Sequence, residues 1–216
     1  MKEYLKKEAT LPYFKRLEHK VLSEPLNIVK DPFEIFRMLP LNLIKVVIVG
    51  QDPYAGSTRE EGNYIPYFDG ISFSSKNTKK APEALNILKK LFINTDILLG
   101  NQIGNVPNDL RYLVNQGVFL AHAAWTVNHN RPLSHMWDEW IIFSSRLMQH
   151  ISINTKASFL FLGSKSEGLA QHVHRQCPIY FEQHPSAERY KKNNKKLENS
   201  EVLAELTKNS NIKWTY

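Results

Sequence analysis

Four short runs of the chain are apolar without interruption: VVIVG at 46–50, GVFLA at 117–121, SFLFLG at 158–163 and PIYFEQ at 178–183. A strand with one wet face alternates polar and apolar residues, so continuous runs predict strands covered on both faces, as in a mainly parallel sheet. Parallel neighbours need long crossovers, and the segments between the runs carry helical patterns. In APEALNILKKLF, Leu85, Leu88 and Phe92 share one stripe behind Pro82, which suits a first helical turn. In WDEWIIFSSRLMQHI, Trp140, Phe143, Leu147 and Ile151 recur at spacings of three and four. The first thirty residues mix charges with Leu, Tyr and Phe and predict one peripheral helix, its end bracketed by Pro25 and Pro32. This alternation of strand and helix predicts an open α/β sandwich with right-handed crossovers.

A chain of 216 residues buries a real core and fits one domain, here taken as 1–216, better than two. No apolar run approaches the roughly eighteen residues that a membrane helix needs, and the start does not resemble a signal peptide. The expectation is a soluble, intracellular, cytoplasmic monomer with no membrane partner. The single Cys177 excludes an internal disulfide and a cysteine metal cluster. Lys plus Arg number 28 against 21 for Asp plus Glu, an excess that favours a polyanionic partner. Part of it is concentrated in ERYKKNNKK, where Arg189, Lys191 and Lys192 lead, although such a run is also what an ordinary solvated loop looks like.

Ligands of open α/β sheets sit beyond the carboxyl ends of the strands. That rule selects GQDPY after the first run, His122 after the second, GSKS after the third and HPS after the fourth. Asp52 and His184 are then an acid/base or electrostatic pair gathered by the sheet. Either residue alone reads equally as a turn-capping Asp or a core-edge His. With Tyr54 and Phe73 added, two aromatic rings accompany an acid and an imidazole, a set suited to holding a flat ring, and the basic run lies close by in sequence to grip phosphates.

At these motifs the sequence resembles the family 1 uracil-DNA glycosylases. GQDPY at 50–54 matches that family's water-activating motif without its usual final His, and GISFSS at 70–75 is similar to the segment whose Phe stacks on uracil. DLRYLVNQGVFLAHAAWTV at 109–127 resembles the stretch with the central strand and the base-reading residue. SHMWDEW at 134–140, FLFLGSKSEGLAQ at 159–171, QHPSAERY at 183–190 and NIKW at 211–214 follow in the family's order. The resemblance implies a three-layer sandwich around a four-stranded parallel sheet, flanked by helices, and an enzyme that removes uracil from single- or double-stranded DNA without a cofactor or metal. It implies Asp52 orienting water beneath the sugar and His184 donating to the departing base. Phe73 would stack, Gln51 contact the base, Tyr54 exclude the methyl of thymine and His122 read the base edge. Ser186, with Ser134 and His135, would contact phosphates, beside Lys191 and Lys192. A protein inhibitor or a replication partner on the DNA face is the further partner expected.

Three positions depart from the pattern. Ala55 replaces the family's His, His122 its base-reading Asn, and Glu188 the usual Leu wedge, with Arg189 next in line to fill the gap. An amide offers a donor and an acceptor side by side, whereas one imidazole nitrogen offers one of the two, so discrimination of uracil from cytosine is at stake. Three readings stay open here: a glycosylase slowed by these changes, a weak or inactive relative that binds DNA or assists replication, and a glycosylase with altered base choice, which follows from His122 alone.

Overall fold

The computed structural model describes residues 1–77, 80–190, 196–208 and 210–216, with the backbone alone described at 60 and 188–190. The first thirty residues form two helices, α1 (Lys2–Ala9) and α2 (Pro12–Ser23), where the sequence suggested one. Pro12 explains the break: it lacks the N–H that would continue α1 and instead opens α2 at its first position. A short α3 (Glu34–Met38) leads into β1 (Val46–Gly50), and β2 (Ser57–Glu60) and β3 (Asn63–Pro66) follow as a hairpin. Then come α4 (Glu83–Leu98), α5 (Arg111–Val114), β4 (Val118–His122), α6 (Asp138–Asn154) and β5 (Ser158–Leu162). The chain closes with α7 (Ser164–Glu167), β6 (Ile179–Glu182), a 3-10 turn at Pro185–Tyr190 and α8 (Val202–Thr207).

The main sheet has the order β4-β1-β5-β6 with every pair parallel, and helices flank it. All five residues of β1 and of β4 are buried, as continuous apolar runs require. β6 differs: Phe181 is 52% exposed, so this edge strand is covered incompletely, unlike β4 at the opposite edge. β4 also lies one residue later than its apolar run suggested, which makes His122 the last strand residue, in register with Gly50. The hairpin was not foreseen. Its two-residue connection is Glu61-Gly62, both at positive φ (49° and 85°), the geometry that joins twisted antiparallel strands.

The α2–α6 side of the sheet is built on aromatic packing. Phe143 of α6 meets Phe14, Phe33, Phe36, Trp125 and Trp140 with ring centroids 5.7–6.0 Å apart. The N-terminal helices are bolted to this cluster by Glu8, which is buried, takes both Nε and Nη2 of Arg146 at 2.8 and 2.9 Å, and accepts the Tyr13 hydroxyl. α4 runs six residues past the expected Phe92 and brings Asp96 to the chain terminus. There Asp96 accepts the backbone N–H groups of Trp214 (3.2 Å) and Thr215 (2.7 Å) and the Thr215 hydroxyl (2.8 Å), pinning the NIKW segment. None of the described helices is long and apolar enough to cross a membrane.

Because Phe143 has no exposed surface and packs against five aromatic rings, Phe143→Ala is expected to lower the unfolding free energy by about 3–5 kcal/mol, read from the urea midpoint.

Candidate active site

β1 delivers Gln51, Asp52 and Tyr54 at its carboxyl end. Asp52 sits in a largely desolvated position and has both oxygens engaged: Oδ2 accepts the Leu133 backbone N–H at 2.6 Å and Oδ1 accepts the Gln51 side-chain amide at 2.9 Å. Burial raises its pKa above the usual carboxylate value, and these two donors oppose the rise. Leu133 holds its N–H there at φ 68°, a left-handed conformation that a Leu adopts only under constraint. No signal in the sequence marks Leu133 as the residue that would brace Asp52.

Tyr54 is locked by its own hydroxyl, which donates to the Phe73 carbonyl at 2.8 Å. Phe73 is itself at φ 64° and almost fully buried, with its ring edge against Gly50. A Cβ on Gly50 would stand 2.4 Å from Phe73 Cζ and 3.2 Å from His122 Cδ2, so the glycine after the strand is what lets these two rings meet. They meet edge to face at 5.1 Å between centroids. The turn carrying Phe73 is held from behind by Asp69, which accepts Arg111 Nη1 (2.9 Å), the Ser74 hydroxyl (3.0 Å) and the Ile71 N–H (3.2 Å). Arg111 also pairs with Glu34 at 2.9 Å, tying the turn to α3 and α5.

β6 delivers His184. The Ser186 backbone N–H donates to its Nδ1 at 3.2 Å, and since a backbone amide only donates, the proton of the neutral ring belongs on Nε2. Burial lowers its pKa to about 4. His122 lies deeper; burial first and the neighbouring His184 second lower its pKa to about 3. Gly163, at φ 84° and ψ 159°, makes room for this strand end: a Cβ there would come within 2.7 Å of His184 Cβ. Thus GSKS contributes close backbone passage to the site, through Gly163.

The remaining expected contacts are distributed unevenly. Ser186 is half-buried beside His184. Ser134 is half-buried too, and its hydroxyl oxygen accepts the Asn128 N–H at 2.8 Å. His135 is buried at 1% exposure, with Nδ1 2.8 Å from Thr126 Oγ1 and its ring stacked on Trp137 at 4.2 Å, while Nε2 has no hydrogen-bond partner among the described residues. Glu188 and Arg189 fall in the 3-10 turn at Pro185–Tyr190, and Lys191 and Lys192 lie outside the described residues. Ala55 is buried in a small apolar cluster with Val29, Phe68 and Val127.

A braced carboxylate, a neutral imidazole and a buried aromatic turn thus meet at the carboxyl edge of one parallel sheet, where open α/β folds hold their ligands. Comparison with known proteins identifies the class. The uracil-DNA glycosylase of Borrelia hermsii is 34% identical over 196 residues, covering 86% of this chain and 82% of its own, and uracil-DNA glycosylase 1 of Listeria monocytogenes is 33% identical over 159 residues, covering 69% and 65%. The crystal structure of mimivirus uracil-DNA glycosylase superimposes with a TM-score of 0.79 at 24% identity, over 99% of this chain and 85% of that one. A mimivirus UNG variant in complex with UGI gives 0.80. No family model matches. The chain belongs to the uracil-DNA glycosylases, DNA-repair enzymes that hydrolyse the N-glycosidic bond of uracil in DNA.

Two outcomes test this geometry. Gly163→Ala is expected to cost about 1–3 kcal/mol through backbone strain alone and, by displacing His184, to slow uracil release in a strand-cleavage assay. The buried His184 also predicts a pH effect. An unfolded His takes its proton near about 6.5, while the folded one resists protonation until about 4, so the unfolded state binds more protons between these values. Stability is therefore lost as pH falls through that window, and thermal melts of His184→Gln should show a smaller loss than the wild type over the same range.

Proposed function

We propose that Asp52 and His184 act on the two ends of the scissile bond. Breaking it develops positive charge on the sugar and negative charge on the leaving base. Asp52 accepts hydrogen bonds from Leu133 and Gln51 on the protein side and keeps its charge available to orient water and stabilise the sugar cation. His184 donates through Nε2–H to the oxygen of the departing uracil. It acts as a neutral donor, since its lowered pKa leaves it uncharged at physiological pH. The observation that carries this reading is that both groups are oriented by backbone N–H groups, which side-chain motion cannot withdraw.

Phe73 supplies the stacking surface and Tyr54, fixed by its bond to the Phe73 carbonyl, blocks a substituent at C5. Gln51 contacts the base while steadying Asp52. Extruding the nucleotide costs a few kcal/mol, least from single strands and weak pairs, which this pocket repays by stacking and hydrogen bonds. Ser186 and Ser134 approach the flanking phosphates, Arg189 fills the gap in the duplex in preference to the like-charged Glu188, and Lys191 and Lys192 add charge along the backbone. The same DNA face is where a protein inhibitor or a replication partner would compete.

Incubating the protein with uracil-containing single- and double-stranded oligonucleotides, followed by alkaline cleavage, is expected to yield strand breaks at uracil. Asp52→Asn should reduce the rate by about 10²–10⁴-fold while binding of the same oligonucleotide changes little. Unchanged cleavage would remove Asp52 from its role. Wild-type protein that binds the oligonucleotides and leaves every strand intact would favour the DNA-binding or replication-accessory reading.

A further inference from the structure

His122 stands where its family carries an amide, and the difficulty it raises is chemical. A neutral imidazole nitrogen facing the base either donates or accepts. As a donor it suits the 4-oxygen of uracil; as an acceptor it suits the 4-amino group of cytosine. A ring free to exchange tautomers would admit both bases, so the specificity of this site depends on which nitrogen holds the proton.

The structure supplies a group that decides it. Nδ1 of His122 lies 3.1 Å from the hydroxyl oxygen of Ser72, two residues after Gly70 in the turn that carries Phe73. Both residues are buried, at 3% and 1% exposure, and the imidazole is held between Phe73 at 5.1 Å and Phe68 at 6.1 Å. Nε2 hydrogen bonds with no described residue, yet it is not among the buried atoms sealed in without a partner, so it is the nitrogen open to the pocket. Ser72 has one hydroxyl hydrogen and, among the described residues, one side-chain hydrogen-bond partner, His122. If Nδ1 carried the ring proton it would donate to Ser72, and the serine's own hydrogen would be buried with no acceptor. If Ser72 donates to Nδ1, that hydrogen is satisfied and the ring proton lies on Nε2. Burying an unpaired donor is the costlier arrangement, so the second is favoured.

We infer that Ser72 is a positioning residue that fixes His122 as an Nε2–H donor and thereby sets the preference for uracil over cytosine. The inference rests on the reading that His122 meets the 4-position of the base. With Nε2–H on His122 and Nε2–H on His184, the pocket offers two donors to a ring that carries two carbonyl oxygens. Cytosine brings its amino group donor-to-donor against His122, and that hydrogen bond is lost. A single imidazole thus performs the discriminating half of what an amide does. The turn that supplies the stacking Phe73 also supplies the group that sets the reader's proton.

The experiment combines a spectroscopic readout with a kinetic one. Long-range proton–nitrogen correlation spectra of selectively labelled protein should show His122 protonated at Nε2 in the wild type and a mixture of tautomers in Ser72→Ala. In matched oligonucleotides at excess enzyme, Ser72→Ala should release uracil at least about fivefold more slowly and narrow the uracil-to-cytosine preference at least about tenfold. Ser72→Thr, which keeps the hydroxyl, should restore both. If Ser72→Ala leaves the tautomer and the preference as in the wild type, the inference is overturned. His122→Ala separates the two layers: a preference untouched by that change sinks the reading that His122 meets the base, whatever the tautomer spectra show. A preference that shifts in His122→Ala but not in Ser72→Ala sinks the role of Ser72 alone.

Discussion

Desolvation at the carboxyl end of the parallel sheet is the condition on which the rest of the site depends. It pushes Asp52 toward its neutral form and holds His122 and His184 neutral, so it helps the two imidazoles and works against the carboxylate. The fold answers this asymmetry locally. Asp52 receives two hydrogen-bond donors, one of them a backbone N–H, whereas among the described residues each His ring has one partner, on Nδ1, and none at Nε2. The same low-polarity setting then strengthens every interaction made with substrate, because little water competes for these groups.

Holding such groups still requires the backbone to adopt conformations it would otherwise avoid. Phe73 and Leu133 are both at positive φ, and neither has the glycine's freedom to be there. Each is stabilised by what its backbone does: the Phe73 carbonyl accepts the Tyr54 hydroxyl, and the Leu133 N–H donates to the Asp52 carboxylate. The strain and the function therefore share the same bonds. Behind them, Arg111 joins Asp69, Asp109 and Glu34, so three acidic residues from separate segments are drawn to one guanidinium beneath the Phe73 turn.

How much of this was legible in the sequence follows from the range of the interactions involved. The buried strands β1, β4 and β5 announced themselves because covering both faces of a strand demands an unbroken apolar run, and the helices between the strands because Leu85 and Phe143 fall in patterns with the helical period. The edge strand was overread, since a short apolar run looks alike whether one or both of its faces are covered. Asp52, Tyr54, Phe73 and His184 stood out by chemistry and by likeness to known motifs. Leu133 and Ser72 did not, because their contributions are an amide direction and a hydroxyl placed fifty residues from its partner. The hairpin did carry a local sign, Glu61-Gly62 between strand-like residues, which went unread because the strands are only four residues each. The burial of His135 was equally hidden: a His after Ser134 in a polar segment looks exposed, and the fold packs it against Trp137.

The departures at Ala55 and His122 are better understood together than as separate losses. Phe68 packs with Ala55 in the small apolar cluster and also lies 6.1 Å from the His122 ring, so it occupies the space between the two positions. A small residue at 55 leaves room for Phe68, and Phe68 with Phe73 provides the walls that a buried imidazole needs in place of an amide's own hydrogen bonds. Here the altered residues share a packed neighbour, and the new imidazole has a hydrogen-bond partner in Ser72. On the role inferred for Ser72, the selectivity of such a pocket comes from where one proton is held.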